Sequence, residues 1–368
     1  MTAAIDRPMI DLADYGWNRA LAEAFEAFAS RGLVPARVIK QSRDLSTLLT
    51  AEGECEGEVS GKFRHEAAGP ADFPAVGDWA AVRTVPGGRA VIEALLPRRS
   101  AFTRKAAGEA VEAQVVAANV DTVFLVSGLD GDFNLRRIER YVTTAWSSGA
   151  APVLVLNKTD LRTDLPDVVA AAEAVAPGVP VVTTTALGAG GREGLAPYLV
   201  AGKTVALLGS SGVGKSTLIN SLLGEERLAT AAVSDAEEGR GRHTTTVREL
   251  VRLPGGALLI DTPGLRELGL WADDDGLDRT FEEIDRLAAN CRFPDCGHEQ
   301  EPGCAVRAAV ETGTVDVRRY ESFLKLRREL RSLELRKDEK ARRQREKAVG
   351  RDFAARLKEV KKNKLRYR

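Results

Sequence analysis

A glycine-rich loop between an apolar strand and a helix is the feature that most constrains the fold of this chain. The loop, residues 209–216, reads GSSGVGKS and matches the pattern G-x-x-x-x-G-K-[ST] at every fixed position. The run Thr204–Leu208 before it predicts a strand, and Lys215–Leu223 after it predicts a helix. Backbone N–H groups of such a loop converge on phosphate oxygens at the helix N-terminus. The sequence therefore predicts a phosphate-binding loop in an α/β sheet.

The same loop suggests roles for its side chains. Lys215 is expected to reach the β and γ phosphates of a nucleotide, and the Ser216 hydroxyl is expected to bind Mg²⁺. We treat both as candidate catalytic residues. The candidate phosphate-binding residues are Gly209, Ser210, Ser211, Gly212, Val213, Gly214, Lys215, Ser216 and Thr217.

A second motif favours guanine as the base. The sequence NKTD at residues 157–160 directly follows an apolar strand, PVLVL. The carboxylate of Asp160 can accept from N1–H and the 2-amino group of guanine, which adenine lacks. A Thr-Ala pair after the strand VVTT is a weaker candidate for a backbone contact to the base. The predicted base-binding residues are Asn157, Lys158, Asp160, Thr185 and Ala186. The alternative is a P-loop ATPase or a kinase that acts on a small molecule. The NKTD motif argues against both.

Two further segments resemble nucleotide-sensing switches. DTPG at residues 261–264 follows a strand, so Asp261 can hold Mg²⁺ through water and the amide of Gly264 can sense the γ-phosphate. The segment GRGRHTTT at residues 239–246 is expected to supply a second Mg²⁺-binding hydroxyl. We choose Thr245 for that ligand, and its two threonine neighbours remain open.

The residue after DTPG is Leu265, where many GTPases have a glutamine that orients the attacking water. A leucine cannot do this. We therefore expect slow intrinsic hydrolysis that a partner accelerates. His243 is our candidate internal water-positioning residue, against the alternative of an ordinary surface histidine.

A cysteine and histidine cluster predicts a metal site. Residues 291–304 have the spacing C-x4-C-x-H-x5-C, and three thiolates with one imidazole fill the tetrahedral shell of a structural Zn²⁺. The alternative is a set of unrelated buried cysteines. The predicted ligands are Cys291, Cys296, His298 and Cys304. Metal-binding thiols indicate a reducing compartment, and no signal peptide or membrane-spanning run is visible, so we expect a cytoplasmic protein.

Charge is distributed unevenly. The whole chain has 53 Lys and Arg and 53 Asp and Glu, but residues 318–368 contain 21 basic and 8 acidic side chains. An acidic body with a basic end indicates a nucleic-acid or anionic-membrane partner. We expect the basic segment to contact RNA, with a solvated, salt-bridged helix as the alternative.

The predicted architecture is multidomain. Short strands at residues 36–39, 57–63, 78–85 and 89–95 suit a small β-barrel, with an OB-fold as one candidate. Phe63 between two basic residues, and Arg98 and Arg99 after the last strand, form a modest basic and aromatic lining; RNA binding and a purely structural role stay equally open.

From residue 113 onward, strands alternate with helices, which indicates a mostly parallel sheet covered on both faces. The predicted divisions are a leader 1–34 with a helix at 17–31, the barrel 35–100, an α/β P-loop domain 101–271, a mainly helical zinc domain 272–316, and a basic helical tail 317–368.

The order of the motifs is unusual, because NKTD and TA precede the phosphate-binding loop. A circular permutation gives this order while preserving the site. Together with GSSGVGKST, GRHTTT, DTPG and the cysteine segment, this order resembles the circularly permuted, ribosome small subunit-dependent GTPase A family of bacteria. The resemblance covers roughly residues 35–320.

The resemblance implies a GTP hydrolase that binds the small (30S) ribosomal subunit and its 16S rRNA and assists late maturation. It implies an OB-fold before the GTPase domain, one structural Zn²⁺, Mg²⁺ with the nucleotide, and a monomer without a membrane partner. We further expect nucleotide state to control the pose of the RNA-contacting domains. The alternative is a non-ribosomal regulatory GTPase switch that acts on a protein or membrane.

Overall fold

The structure is a computed structural model that describes residues 9–42, 45–105, 113–131, 133–185, 193–224, 248–261 and 273–336. These residues form a β-barrel, a sheet with helices on both faces, and a helical C-terminal lobe (residues 273–336) that contains the Cys/His cluster. The predicted combination of an OB-like barrel, an α/β domain and a mainly helical metal-binding region is confirmed. Among the described residues, no helix is long and apolar enough to cross a bilayer.

Five strands form the barrel in the order β1-β2-β3-β5-β4, and β4 pairs back onto β1 to close it. The β3–β5 pair is parallel and the other pairs are antiparallel. Small and branched apolar side chains fill the interior, including Val38, Leu48 and Ile92. The strands are β1 Val34–Gln41, β2 Ser46–Thr50, β3 Gly53–Val59, β4 Trp79–Arg83 and β5 Ala90–Leu95.

A helix of the predicted leader packs on the barrel. Helix α1 spans Arg19–Ala29, and the Asn18 side chain caps it by accepting from the N–H of Leu21. Its buried face, Leu21 and Phe25, packs with Trp79 of the barrel. The helix predicted at residues 17–31 is therefore confirmed.

The predicted strand at residues 57–63 is wrong at its C-terminal end. The Ser60 hydroxyl accepts the N–H of Phe63 at 3.0 Å and begins a short helix, α2, at Gly61–Glu66. The Phe63 ring instead contacts Phe73, with ring centroids 6.1 Å apart. Alternation along the sequence did not reveal the helix because the serine cap overrides it.

Arg98 does not belong to an exposed basic lining. Its guanidinium forms two hydrogen bonds of 2.8 and 2.7 Å to the carboxylate of Asp78, which is fully buried, and donates to the carbonyls of Ala71 and Phe73. A guanidinium with these partners holds the barrel together. Arg99 is half-exposed and pairs with Asp121 at 3.2 Å.

The second part of the chain builds a six-stranded sheet in the order β10-β9-β8-β11-β13-β12. All pairs are parallel except β12–β13. A separate antiparallel hairpin, β6 Ala101–Lys105 with β7 Ala113–Ala118, precedes it. The six strands are β8 Thr122–Gly128, β9 Ala151–Asn157, β10 Val181–Thr184, β11 Thr204–Leu208, β12 Arg248–Arg252 and β13 Leu258–Asp261.

Alternate side chains of the central strands enter two different cores. Val123 and Leu125 of β8 pack toward helices α3 and α4, whereas Phe124 and Val126 pack toward α5. Both faces are therefore covered, as the continuous apolar strands predicted. The helices are α3 Leu135–Ser148, α4 Leu165–Val175 and α5 Lys215–Leu223, with a 3₁₀ turn at Glu193–Tyr198.

The barrel and the parallel sheet are hydrogen-bonded to each other. Strand β12 at the sheet edge pairs antiparallel with β1, so that Lys40 lies opposite Glu249 and Gln41 opposite Arg248. The Lys40 and Glu249 side chains also form an ion pair of 2.8 Å. One sheet of eleven strands results.

The C-terminal lobe has its own apolar core around Phe281 and the Cys/His cluster. Phe323, Leu326 and Leu330 of the last helix lie in this core, whereas Leu335 is 63 % exposed. The first part of the segment that we interpreted as a basic tail is therefore packed protein. The helices are α6 Asp274–Thr280, α7 Glu282–Ala288, α8 Ala305–Glu311 and α9, residues 317–336.

Candidate functional site

The sequence motifs meet at one edge of the sheet. The parallel strands β8 to β11 and β13 end at Gly128, Asn157, Thr184, Leu208 and Asp261. Because parallel strands present their carboxyl ends at the same edge, the glycine-rich loop, NKTD and the start of DTPG lie side by side. Binding sites of open α/β sheets form at this edge.

Backbone conformation explains the last glycine of the loop. Gly214 has φ of 97° and immediately precedes α5. A Cβ atom at this position would lie 2.2 Å from Nδ2 of Asn157, so only glycine fits. Lys215 is 6 % exposed, and its ammonium donates to the carbonyl oxygens of Gly209, at 2.7 Å, and Ser210.

NKTD holds the glycine-rich loop from the side. Nδ2 of Asn157 donates to the carbonyl of Val213 at 2.8 Å, and Nζ of Lys158 donates to the carbonyl of Gly212 at 2.8 Å. Lys158 also pairs with Asp130. Two motifs that lie more than fifty residues apart in sequence are thus brought into direct contact.

The carboxylate assigned to the base lies beyond these contacts. Asp160 is exposed in a 3₁₀ turn, Thr159–Leu161, which follows the left-handed Lys158 with φ of 65°. The Thr159 hydroxyl donates to the carbonyl of Thr184 at 3.4 Å, and the next residue, Thr185, is half-buried. The NKTD turn therefore lies against the end of β10, the two elements that the sequence predicts to contact the base.

Some of the predicted site residues lie in described elements, and others lie outside the described residues. Ser216 and Thr217 lie in the first turn of α5, and Asp261 ends β13. Ala186, His243, Thr245 and Gly264 lie outside the described residues, as do Thr244 and Thr246. The Mg²⁺ ligands and the water-positioning role of His243 therefore stay predictions.

Three residues of this site were not predicted from the sequence: Asp130, Arg137 and Tyr141. Asp130 follows β8 just as Asp261 ends β13. Its position directly after a predicted strand could therefore have identified it as a candidate site residue. Arg137 donates to the Ser210 hydroxyl at 2.7 Å, and the Tyr141 hydroxyl lies 3.3 Å from the same oxygen. No local pattern indicates those two, because both contacts span about seventy residues.

The four predicted metal ligands converge in the C-terminal lobe. Their ligand atoms all lie within 4.8 Å of one another. The Sγ atoms of Cys291 and Cys304 are 3.9 Å apart, and Nδ1 of His298 lies 3.6 and 3.4 Å from them. A tetrahedral Zn²⁺ with Zn–S bonds of about 2.3 Å places sulfur atoms about 3.8 Å apart. The donor set and spacing fit one tetrahedral ion, and the predicted clustering is confirmed.

Local hydrogen bonds shape the cluster. The Glu301 carboxylate accepts its own backbone N–H and those of Gly297, Gln300 and Glu299, and these bonds lower the pKa of Glu301 to about 2. Burial lowers the pKa of His298, which keeps its imidazole neutral and able to bind a metal. Burial raises the pKa of the Cys296 thiol to about 11, so metal binding must displace that proton.

Known proteins resemble this chain over most of its length. The family model described as RsgA GTPase matches residues 95–271. The small ribosomal subunit biogenesis GTPase RsgA of Opitutus terrae is 54 % identical over 328 residues, which cover 86 % of this chain and 89 % of that protein.

Solved structures share the architecture. The crystal structure of YjeQ from Thermotoga maritima superposes with a TM-score of 0.61 and 30 % identity, and covers 81 % of this chain and 98 % of its own. YloQ, a circularly permuted GTPase, superposes with a TM-score of 0.59 over 82 % of this chain and 96 % of its own. At 23 % identity YloQ supports the fold alone.

Proposed function

This chain belongs to the RsgA GTPase family, and from that premise we propose that it hydrolyses GTP on the small (30S) ribosomal subunit and assists late maturation of that subunit. The relatives that share its sequence are named small ribosomal subunit biogenesis GTPases. They give no support to the alternative of a non-ribosomal regulatory switch. A cytoplasmic location and a monomeric state stay predictions.

One observation supports GTP binding most strongly. Asn157 and Lys158 of NKTD donate to the carbonyls of Val213 and Gly212 in the glycine-rich loop. This contact fixes the distance between the base-reading turn and the phosphate-binding loop. A guanine nucleotide spans these two elements, with its base at Asp160 and its phosphates at the N-terminus of α5.

Each residue then has a physical role. The loop N–H groups and the α5 N-terminus hold the β-phosphate, while Lys215 moves from the carbonyls of Gly209 and Ser210 to the β and γ oxygens. Mg²⁺, when bound with GTP, neutralises charge that develops on the phosphate oxygens. Ser216, Asp261 and Thr245 are the proposed residues that hold it. His243 is the proposed residue that orients water.

The metal in the C-terminal lobe is proposed to be Zn²⁺ with a structural role. Four protein ligands leave no open position for a substrate.

We propose that the barrel and the C-terminal lobe contact 16S rRNA, and that nucleotide state sets their relative pose. The charge of the C-terminal segment supports an RNA partner.

Stimulation of GTP hydrolysis by purified ribosomal subunits tests the proposal. We expect slow intrinsic turnover and a large increase with small subunits but not with large subunits. Lys215→Ala, which removes the phosphate-contacting ammonium, should abolish the increase. Equal stimulation by both subunits, or none, would contradict the ribosomal assignment. Tighter binding of ATP than of GTP would contradict guanine recognition.

A further inference from the structure

Helix α3 touches both the glycine-rich loop and the C-terminal lobe, through different faces. Arg137 and Tyr141 are one helical turn apart and point to the loop. A second row of side chains at matching helical spacing points to the lobe and consists of Arg136, Glu139, Arg140, Thr143 and Ser147. The helix is therefore a rigid link between two parts of the molecule that the sequence keeps more than fifty residues apart.

The contact with the loop is polar and directed at one atom. Nη1 of Arg137 donates to Oγ of Ser210 at 2.7 Å, and the Tyr141 hydroxyl lies 3.3 Å from the same Oγ. Asn134 caps α3 by accepting the N–H of Arg137 at 3.1 Å, which fixes the start of the helix. A charged donor makes a stronger hydrogen bond than a neutral one, so Arg137 is the dominant contact.

Ser210 is held on two sides. Its side chain is held by α3, and its carbonyl oxygen accepts from Lys215. Lys215 serves the nucleotide phosphates in the proposed function, and a lysine that reaches phosphate releases this carbonyl. The side-chain contact with Arg137 does not compete with phosphate. It can therefore keep the loop in place while Lys215 changes partners.

The opposite face of α3 is fixed to the lobe by buried groups. Glu139 is 2 % exposed and accepts from Nη1 of Arg319 at 2.8 Å and from the Ser322 hydroxyl. Arg319 also donates to the carbonyl of Thr280 at 2.6 Å and to that of Val175 at 3.0 Å. Removing one partner of a buried pair leaves an uncompensated charge, so the lobe cannot shift on α3 without disturbing this network.

We propose that Arg137, assisted by Tyr141, is a positioning residue for the phosphate-binding loop, and that α3 thereby links nucleotide binding to docking of the C-terminal lobe. This rests on the proposed function only in taking the ligand of the loop to be a guanine nucleotide. Helix α3 thereby has a regulatory role, although it contains none of the nucleotide-binding motifs.

The first experiment measures affinity for a fluorescent GDP analogue with the full-length Arg137→Ala protein. Loss of a hydrogen bond from a charged donor is expected to weaken binding by about tenfold. Arg137→Lys keeps the charge and should restore part of the affinity. Arg19→Ala is the matched control, because Arg19 forms an exposed ion pair with Glu23 on helix α1 and belongs neither to the loop nor to the contact between α3 and the lobe.

Thermal melting without nucleotide separates positioning from folding. Arg137→Ala and Arg19→Ala should melt at similar temperatures and differ only in nucleotide affinity. Ser210→Ala should weaken binding, and Arg137→Ala should add little on the Ser210→Ala background. Equal affinities for the two arginine variants, or additive effects with Ser210→Ala, would overturn the positioning role.

The second experiment tests the link through α3 with Glu139→Gln, which preserves shape but removes the charge and replaces one acceptor oxygen by an NH2 donor. We expect it to weaken nucleotide binding by about twofold to threefold in the wild-type background, but not in Arg137→Ala, since coupled residues have non-additive effects. No effect, or equal effects in both backgrounds, would overturn the link. If the wild-type protein binds no guanine nucleotide, the proposed function itself fails, which is a distinguishable outcome.

Discussion

We propose that base selection depends on the exposed carboxylate of Asp160. Asp160 lies in the turn after Lys158, whereas Asn157 and Lys158 hold the glycine-rich loop. We predict that Asp160→Asn weakens GTP binding roughly a hundredfold, because two hydrogen bonds to a charged acceptor are lost. Xanthosine triphosphate, which has a carbonyl in place of the 2-amino group, should bind this variant better than GTP does.

Equilibrium titration with both nucleotides measures this change in preference. Asp167→Asn is the matched control, since Asp167 is an exposed acidic residue on the nearby helix α4. It should bind GTP like the wild type. Unchanged GTP affinity in Asp160→Asn would show that the base is recognised elsewhere.

The four cysteines allow a second comparison between single residues. Cys296 is buried in the metal cluster, whereas Cys55 is half-buried in β3 of the barrel. We predict that Cys296→Ser abolishes metal binding and loosens the core around Phe281, because metal binding and folding are coupled. Metal analysis should give one zinc per chain for the wild type and for Cys55→Ser. Full zinc content in Cys296→Ser would contradict the assignment.

The contrast between Lys215 and Arg98 explains which residues could be assigned from sequence. Lys215 lies in a fixed-spacing motif whose geometry is local, so its place in the glycine-rich loop was predicted, although its hydrogen bond to the carbonyl of Gly209 was not. Arg98 looked like part of an exposed basic lining, but its partner is a buried carboxylate twenty residues earlier. Local patterns do not specify pairings of that kind, which depend on how the barrel closes.

Helices α3 and α6 pack closely against each other at Gly276. A Cβ atom there would lie 1.9 Å from Oγ of Ser147 and 2.7 Å from the carbonyl oxygen of Thr143. The serine side chain can rotate away, but the carbonyl cannot. We predict that Gly276→Ala destabilises docking of the C-terminal lobe by about 1–3 kcal/mol, as overpacking does.

Denaturant unfolding measures this difference. Gly255→Ala is a suitable control, since Gly255 has no atom within 4 Å of a built Cβ and lies in the turn between β12 and β13. A stable Gly276→Ala protein would mean that α6 can move away from α3 without penalty.

Whole elements were predictable where periodicity was long and uniform. The bounds of β10, β11 and α5 agree with the sequence because apolar runs bounded by glycine or polar residues fix them. Helix α2 was missed because six residues give too few turns for a helical pattern. The pairing of β12 with β1 was also missed, since strand partners are chosen by tertiary structure.

Across the whole molecule, the net charge of zero is the sum of an acidic body and a basic C-terminal segment. Part of the basic segment is used inside the protein: Arg319 pairs with Glu139 and Glu283, and Arg328 pairs with Glu299. Residues 337–368 contain 14 Lys and Arg against 5 Asp and Glu. These residues are the better candidates for contacts with RNA phosphates.

A truncation after residue 336 tests this assignment. It preserves Phe323, Leu326 and Leu330 in the core of the C-terminal lobe, so the melting temperature should change little. Binding to small ribosomal subunits should weaken, and the slope of log affinity against log salt should become shallower, because fewer counterions are released. An unchanged slope would assign the RNA contacts to other surfaces.

The β12–β1 pairing has a consequence for motion. Backbone hydrogen bonds run without interruption from the barrel into the nucleotide-binding sheet, and β12 begins at the residue after the segment 225–247 that contains GRGRHTTT. A joint of this kind has no hinge, so barrel and sheet should turn as one body. Under the proposed function, a change of nucleotide state would then displace the C-terminal lobe relative to that body, and such a displacement would have to break the contacts of Glu139 with Arg319 and Ser322.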